Sequence, residues 1–475
     1  MWEWLMWGHQ PKPRAGYLAE TVDRLLATGP QAGEDAFPLP EKEIKRLCNA
    51  AREALLKEPS LLEIRTAART VVVGDLHGQY TDLQRIFARL GRPGSDDKVW
   101  VFLGDYIDRG PMGLEIVATL LLLKLRHPES IYLLRGNHEC SEITVLFGFC
   151  GECQRRSTLA AWEAVMQVFD ALPLAALLNG RVFLCHGGIS PYLKRPQDVN
   201  AIRRPLDVNP NGEGLLTDLL WADPSPTVAG WCPNPRGVSF VFGLDVAQEW
   251  LRSQGLRAIV RAHMVQQQGF EVLGSNEVMT VFSASDYRES GNTGAVLLID
   301  PSLDFEFVTF PALRAASLDA DSPRLLVTAA AASADGAGAH QPVPADKFGS
   351  PLPAHAAALA GMAESVSLPP QQRRSPFAAA AGQAAPPVGP AAAAVQQAPE
   401  SAGPAAAEAA PTPAAAQALQ QEVEEDRLVI ESVSSDKELA SLVHRGSAGL
   451  QQLEALTHNS RVPAEALARA SASLS

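Results

Sequence analysis

Long apolar runs are missing from this chain of 475 residues. The longest, residues 116–123, is far too short to cross a bilayer, so no membrane span is expected. Positive charge is in deficit as well. Against 53 Asp and Glu stand 40 Lys and Arg, a formal net charge of −13. That balance excludes a general nucleic-acid surface and a polybasic membrane patch, while leaving room for a small, locally positive pocket. Cysteines are few and scattered: Cys48, Cys140, Cys150, Cys153, Cys185 and Cys232. They make no disulfide framework and read as thiols of a reducing compartment, so a cytoplasmic or nuclear location, or both, is expected. Cys150 and Cys153 form a CxxC with no second pair nearby, which favours free thiols on a helix over a structural zinc site. The N-terminal MWEWLMWGHQ lacks the basic start of a signal peptide. It is expected either to dock on another surface or to stay unstructured.

What is present falls into four zones. Residues 1–36 form an extension with no evident repeat. Residues 37–311 are dense in strand and helix signals. Residues 312–420 turn rich in Ala, Pro and Gln, with Pro and Gly interrupting every helical stretch and little large apolar surface to bury, so a disordered linker is expected. Residues 421–475 recover some pattern: Ser435 and Glu438 make a capping box, Leu439, Leu442 and Val443 share a face, and Gly446 ends it. Short tail helices are expected there, solvated or docked on the body or a partner. The second zone, whose 46% apolar parent composition can fill a large core, opens with PEKEIKRLCNAAREALLKEP. There Ile44, Leu47, Ala51 and Leu55 fall on one helical face. TVVVGD, KVWVFLGD and SIYLLRGN are then apolar, β-branched runs separated by helical stretches, a βαβαβ rhythm. RVFLCHGG, RAIVRAH, EVMTVFSASDY, GAVLLID and FEFVTF follow more closely and suggest a second sheet.

Each strand exit carries polar chemistry. The first gives Gly74-Asp75-Leu76-His77-Gly78, the second Gly104-Asp105-Tyr106-Ile107-Asp108-Arg109-Gly110, the third Arg135-Gly136-Asn137-His138-Glu139. His186-Gly187-Gly188 and Arg261-Ala262-His263 come later. A lone D-x-H or a histidine after a strand is ordinarily a packed or capping residue. Carboxylate, imidazole and amide groups at successive strand ends instead converge where α/β proteins build active sites. His9, His127, His340, His355, His444 and His458 have no such setting and read as surface residues.

The ordered set GDLHG, GDYIDRG, LLRGNHE, HGGISP, LLWADP, RGVSFVFG and RAH resembles the phosphoprotein phosphatase family of metal-dependent Ser/Thr phosphatases over roughly residues 40–310. The resemblance implies an α/β (α+β type) fold, a central β-sandwich flanked by helices, followed here by the disordered tail. It implies one metal on Asp75, His77 and Asp105 and a second on Asp105, Asn137, His186 and His263, with Asp105 shared. Manganese, iron and zinc all suit mixed N and O ligands. It implies in-line attack on phosphorus by a hydroxide held between the two ions, with no covalent intermediate. His138 would protonate the leaving serine or threonine oxygen, Asp108 would orient that imidazole, and Arg109 and Arg236 would grip the phosphate. Phosphorylated proteins would be the substrates, with Asn137 and Tyr287 beside them. Arg135, Gly136 and Glu139 would shape the turn.

The chain also departs from the family pattern. A loop usually reading Ser-Ala-Pro-Asn-Tyr, often then Cys, reads Ser283-Ala284-Ser285-Asp286-Tyr287-Arg288 here. Without that cysteine, thiol-reactive cyclic-peptide toxins lose their covalent target. ECSEITVLFGFCGECQRR is similar to both the type-2A and calcineurin branches, and DALPLAALLNGRVFLCHGG leans to calcineurin. Yet residues 312–420 offer neither the long apolar helix nor the basic calmodulin site of calcineurin-like chains. A regulatory subunit or self-docking of the tail is the remaining expectation for partners. Two other readings stay open: a dinucleoside-polyphosphate phosphatase with a related metal site, and an inactive scaffold binding phosphoproteins.

Overall fold

In the computed structural model the described residues are 15–29, 33, 36–95, 97–206, 212–312, 324–327 and a few positions between 420 and 427. The MWEWLMWGHQ segment, the capping box at Ser435 and most of the linker lie outside them.

The strands in chain order are β1 (Leu61–Ile64), β2 (Thr70–Val73), β3 (Val99–Phe102), β4 (Ile131–Leu133), β5 (Ala175–Leu178), β6 (Val182–Cys185), β7 (Asp223–Ser225), β8 (Trp231–Pro233), β9 (Phe240–Gly243), β10 (Ala258–Arg261), β11 (Phe270–Leu273), β12 (Val278–Val281), β13 (Gly294–Ile299), β14 (Phe305–Phe310) and β15 (Arg324–Val327). One six-stranded sheet runs β15-β14-β13-β2-β3-β4, a second runs β1-β5-β6-β10-β12-β11, and β7-β9-β8 form a small third. The later strands thus do not make one second sheet, as their spacing suggested. β13 pairs antiparallel with β2, joining the first sheet, while β6, β10 and β12 make the other.

Alternation of side chains along a strand explains the layers. Val72, Val101 and Leu297 of the first sheet share a buried cluster with Leu184, Val260 and Met279 of the second, which is the sandwich core. Val71, Val73, Trp100 and Phe102 point the other way, into a cluster with the helices Glu41–Leu55, Tyr80–Leu90, Gly113–Arg126 and Leu159–Phe169. Strands buried on both faces read as unbroken apolar runs, hence TVVV and VWVF. On the far side Phe183, Cys185 and Ile259 pack with the helices Leu215–Trp221 and Leu244–Gln254.

Two boundaries differ from the compositional zones. The helix Ala15–Leu26 lies in the stretch read as extension, yet Leu18, Val22 and Leu25 are buried in the main core. Their i, i+4, i+7 spacing is one helical face, short enough to be passed over. β15 lies in the stretch read as linker and extends the first sheet antiparallel to β14. Cys150 and Cys153 are buried free thiols on the helix Phe149–Arg156, and His127 is half-buried away from the site.

Candidate metal centre

The parallel strands β2, β3 and β4 end at one rim of the first sheet, and β6, β10 and β12 end at the adjoining rim of the second. An isolated bridge between Asp75 and Phe282 joins them. Six side chains expected as ligands meet at this junction, all at most 2% exposed: Asp75, His77, Asp105, Asn137, His186 and His263.

Main-chain contacts fix the loops. The Leu76 and His77 amides both donate to the Asp105 carbonyl, at 2.9 and 3.0 Å, and the Gly110 amide to the His77 carbonyl, at 2.9 Å. Gly104 has φ +110°, and a Cβ on it would sit 2.2 Å from the Gly136 nitrogen, so only glycine lets the second and third loops approach. His77, Asp105, Asp108, Arg109 and His263 all take left-handed backbone angles, φ 42° to 71°. Such strain in non-glycine residues persists where the surroundings over-determine it, and it gathers at functional sites.

Backbone carbonyls hold two of the imidazoles at Nδ1, and His186 Nε2 also lies 2.8 Å from Asn137 Oδ1. His77 Nδ1 faces the Ile107 carbonyl and His186 Nδ1 the Leu103 carbonyl, both at 3.1 Å, which turns Nε2 into the centre. Asp105 Oδ2 lies 3.6 Å from His77 Nε2, and Asp105 Oδ1 lies 3.4 Å from His186 Nε2. His77 Nε2 and His263 Nε2 are buried without a hydrogen-bond partner. Burial, aided by neighbouring cationic groups, holds His77, His186 and His263 well below the usual imidazole range, leaving neutral rings with a lone pair to offer. Oxygen and nitrogen atoms 3.4–3.6 Å apart are too far for good hydrogen bonds. They match ligands each about 2.1 Å from a shared cation. Among the described residues two such groups occur, His77, Asp105 and His138, and Asp105, His186 and His263, with Asp105 common to both. The donor set therefore fits two ions.

His138 Nδ1 lies 2.7 Å from Asp108 Oδ2. Asp108 Oδ1 accepts from the Phe149 amide at 2.9 Å. Burial raises the Asp108 carboxyl well above its usual value, and the Phe149 N–H and Arg109 pull back against it. The Arg109 guanidinium stacks on the Phe147 ring at 3.9 Å. Arg236 is 1% exposed, its Nε donating to Asp223 Oδ2 at 2.9 Å. Arg261 donates to the other oxygen of Asp223 at 2.8 Å, and Asn234 Nδ2 donates to Oδ2 at 2.9 Å. Tyr287, expected beside substrate, is 1% exposed and stacks on His77, centroids 5.0 Å apart.

Glu139 and Arg135 were expected to shape their turn, but the partners of several supporting residues escaped the sequence reading. Glu139 accepts from the amides of Asp105, Tyr106 and Gly136 at 2.8, 2.9 and 2.9 Å, so its carboxylate holds two loops. Burial pushes it up to about 7. Asp223 stood in plain view within LLWADP, but nothing local said that it would lie between two arginines. Phe147 and Phe149 carried only a helical signal. Arg135 pairs with Asp170 at 3.2 Å, away from the ligands.

A calcineurin-like phosphoesterase family model matches residues 68–267, and a serine-threonine protein phosphatase N-terminal domain matches residues 18–65. The second begins inside the helix Ala15–Leu26, which agrees with that helix being part of the body. Among solved structures, a protein serine/threonine phosphatase from Saccharomyces cerevisiae with similarity to human phosphatase PP5 is 30% identical. The match covers 62% of this chain and 96% of that one, with a TM-score of 0.58. A cold-active protein-tyrosine phosphatase of a psychrophile Shewanella is 19% identical over 54% of this chain and 81% of its own, at 0.41. The two matched domains, the near-complete coverage of the yeast enzyme and the twin ligand groups sharing Asp105 agree: the chain belongs to the phosphoprotein phosphatase family of metal-dependent Ser/Thr protein phosphatases.

Proposed function

We propose that the protein removes phosphate from phosphoserine and phosphothreonine of protein substrates by direct hydrolysis. The observation that carries this is the His138–Asp108 pair set within a cluster of donors that could hold two ions through a shared Asp105, His138 lying close enough to be counted in one of the two groups. Asp75, His77 and Asp105 would hold one ion, and Asp105, Asn137, His186 and His263 the other; manganese, iron or zinc fit these donors. Such a pair, when bound, neutralises charge on the phosphoryl oxygens and makes water a nucleophile near neutral pH.

The chain's own groups supply the rest. Asp108 meets the Nδ1 side of His138, and Nε2 is the atom that would give a proton to the departing serine or threonine oxygen. Asp108 stabilises the charged ring between turnovers. Arg109 and Arg236 bind phosphoryl oxygens through guanidinium forks. Both are pre-oriented, Arg109 by the Phe147 ring and Arg236 by Asp223, so little order is lost when substrate arrives. Self-docking of the tail is favoured by a proximity: Cγ of Arg427 lies 3.5 Å from where a Cβ on Gly237, the neighbour of Arg236, would sit.

The test is manganese-dependent phosphate release from a phosphothreonine peptide, run beside diadenosine tetraphosphate. Turnover of the peptide supports the reading. Turnover of the dinucleotide alone would replace it with the nucleotide phosphatase, and manganese binding without turnover of either would leave the scaffold.

A further inference from the structure

Ser285 stands where the family pattern has proline, and every polar group it owns is used. Its amide donates to Asp82 Oδ2 at 2.7 Å and its hydroxyl to Asp82 Oδ1 at 2.9 Å. Its carbonyl accepts from Gln79 Nε2 at 3.0 Å. Arg85 closes the group, donating to Asp82 Oδ1 at 2.8 Å and, through its other terminal nitrogen, to the Pro311 carbonyl at 2.8 Å. Proline could make neither of the two bonds to Asp82. Asp82 is 1% exposed in the first turn of the helix Tyr80–Leu90, which follows directly on the loop bearing His77.

The clamp therefore joins two segments that are also bonded at the Ser283 amide to the Asp75 carbonyl, at 3.1 Å, and that meet at a side chain of the centre in the stack of Tyr287 on His77 at 5.0 Å and 26°. The loop around Tyr287 needs such restraint. Asp286, Arg288 and Glu289 all have left-handed angles, φ 50°, 51° and 61°. Asn292 holds it from within, its Oδ1 accepting from the Tyr287 amide at 2.7 Å and its Nδ2 donating to the Ala284 carbonyl at 2.8 Å. Asp82 holds it from outside. The His77 ring is fixed at Nδ1 by one 3.1 Å contact to the Ile107 carbonyl and across its face by Tyr287.

We propose that Asp82 and Ser285, braced by Arg85, are positioning residues for the metal ligand His77, acting through Tyr287. The proposal rests on the reading of His77 as a ligand. Groups that orient a ligand without touching the ion commonly change metal affinity by about 10- to 100-fold. The effect should fall chiefly on one ion, since the ring Tyr287 stacks on is His77, whereas His186 and His263 follow β6 and β10.

The experiment is a manganese titration of the full chain after chelation, with free ion counted by electron paramagnetic resonance and the melting temperature recorded for each variant. Wild type should take up two ions. Asp82→Asn and Ser285→Ala should each weaken one of them by about tenfold and leave the other within about twofold. The double variant should be no worse than the stronger single, because the residues act as one unit. Ser285→Thr, which keeps amide and hydroxyl, should bind as wild type does. Two ions bound at wild-type affinity in both single variants would overturn the proposal. So would parallel weakening of both ions with a lowered melting temperature, which means general destabilisation. A wild-type chain that binds no manganese would instead overturn the ligand reading on which the proposal stands.

Discussion

At the rim supplied by β2, β3 and β4, loops 74–78 and 104–110 are stitched together by main-chain hydrogen bonds, while loop 135–139 is tied to the second by main-chain amides that donate to the Glu139 and Asp105 carboxylates and by the close approach of Gly104 to Gly136. At the rim supplied by β6, β10 and β12, buried side chains hold the site: Asp223 between Arg236 and Arg261, Asn292 and Asp82 around the loop that carries Tyr287. A stitched backbone tolerates little change of any residue's φ and ψ, but much of its support survives loss of one side chain. A side-chain network is the reverse. Removing one member leaves buried partners unpaired, and that penalty exceeds the worth of the bond.

The largest effect that would sharpen this contrast comes from His138→Asn in the stitched rim. The loop keeps the bond from the residue 138 amide to Asp105 Oδ1 at 3.0 Å, and asparagine still offers an oxygen donor, so the fold should persist and manganese should still bind. The turnover number should fall by about 10²- to 10⁴-fold, as expected for loss of a general acid. An equal loss of melting temperature and turnover would show that His138 is structural. Asp223→Asn in the networked rim should do the opposite. It leaves two buried guanidiniums sharing a neutral amide, at a cost of about 3–5 kcal/mol in stability, read by denaturant unfolding, together with a raised KM.

The same carboxylate sets an acid limit. Burial alone would raise it, but Arg236 and Arg261 hold it below its usual value of 3.8. A depressed carboxyl stabilises the fold above the unfolded value and loses that contribution only as pH falls through the folded one. Unfolding at pH 5 and pH 7 should therefore show the same wild-type minus Asp223→Asn difference, and the difference should shrink only below about pH 4. A smaller effect is expected from a chain ending after residue 330, which keeps β15 and loses the segment near Gly237. Its KM for phosphopeptide should fall, and an unchanged KM would argue against tail docking beside Arg236. Smallest is a null result. A thiol-reactive cyclic-peptide toxin should leave no covalent adduct on residues 283–292, where Arg288 replaces the family's cysteine, and mass spectrometry after incubation reads this directly.

Much of this was legible in the chain. The residues expected as ligands, Asp75, His77, Asp105, Asn137, His186 and His263, were each marked by position at a strand exit, next to glycine or a second polar group. The helix Glu41–Leu55 was marked by Ile44, Leu47, Ala51 and Leu55, and all four are buried. The helix Ala15–Leu26 was missed because its twelve residues carry only three well-buried apolar positions. Assignment of β13 and β14 to the first sheet was missed for a different reason. Strand partners are chosen by pairing across the chain, and nothing within GAVLLID names β2 as its neighbour.

The sequence by itself determined which residue types leave the strands and in what order, because local periodicity and turn chemistry are written over a few residues. Only the tertiary structure decided what those groups face. Asp223 lies between two arginines, Glu139 spans three amides, and Asp82 closes on Ser285 from 203 positions away. Such contacts depend on how two sheets are brought rim to rim, and in a buried site of low polarity it is those distant partners that set charge, orientation and strain.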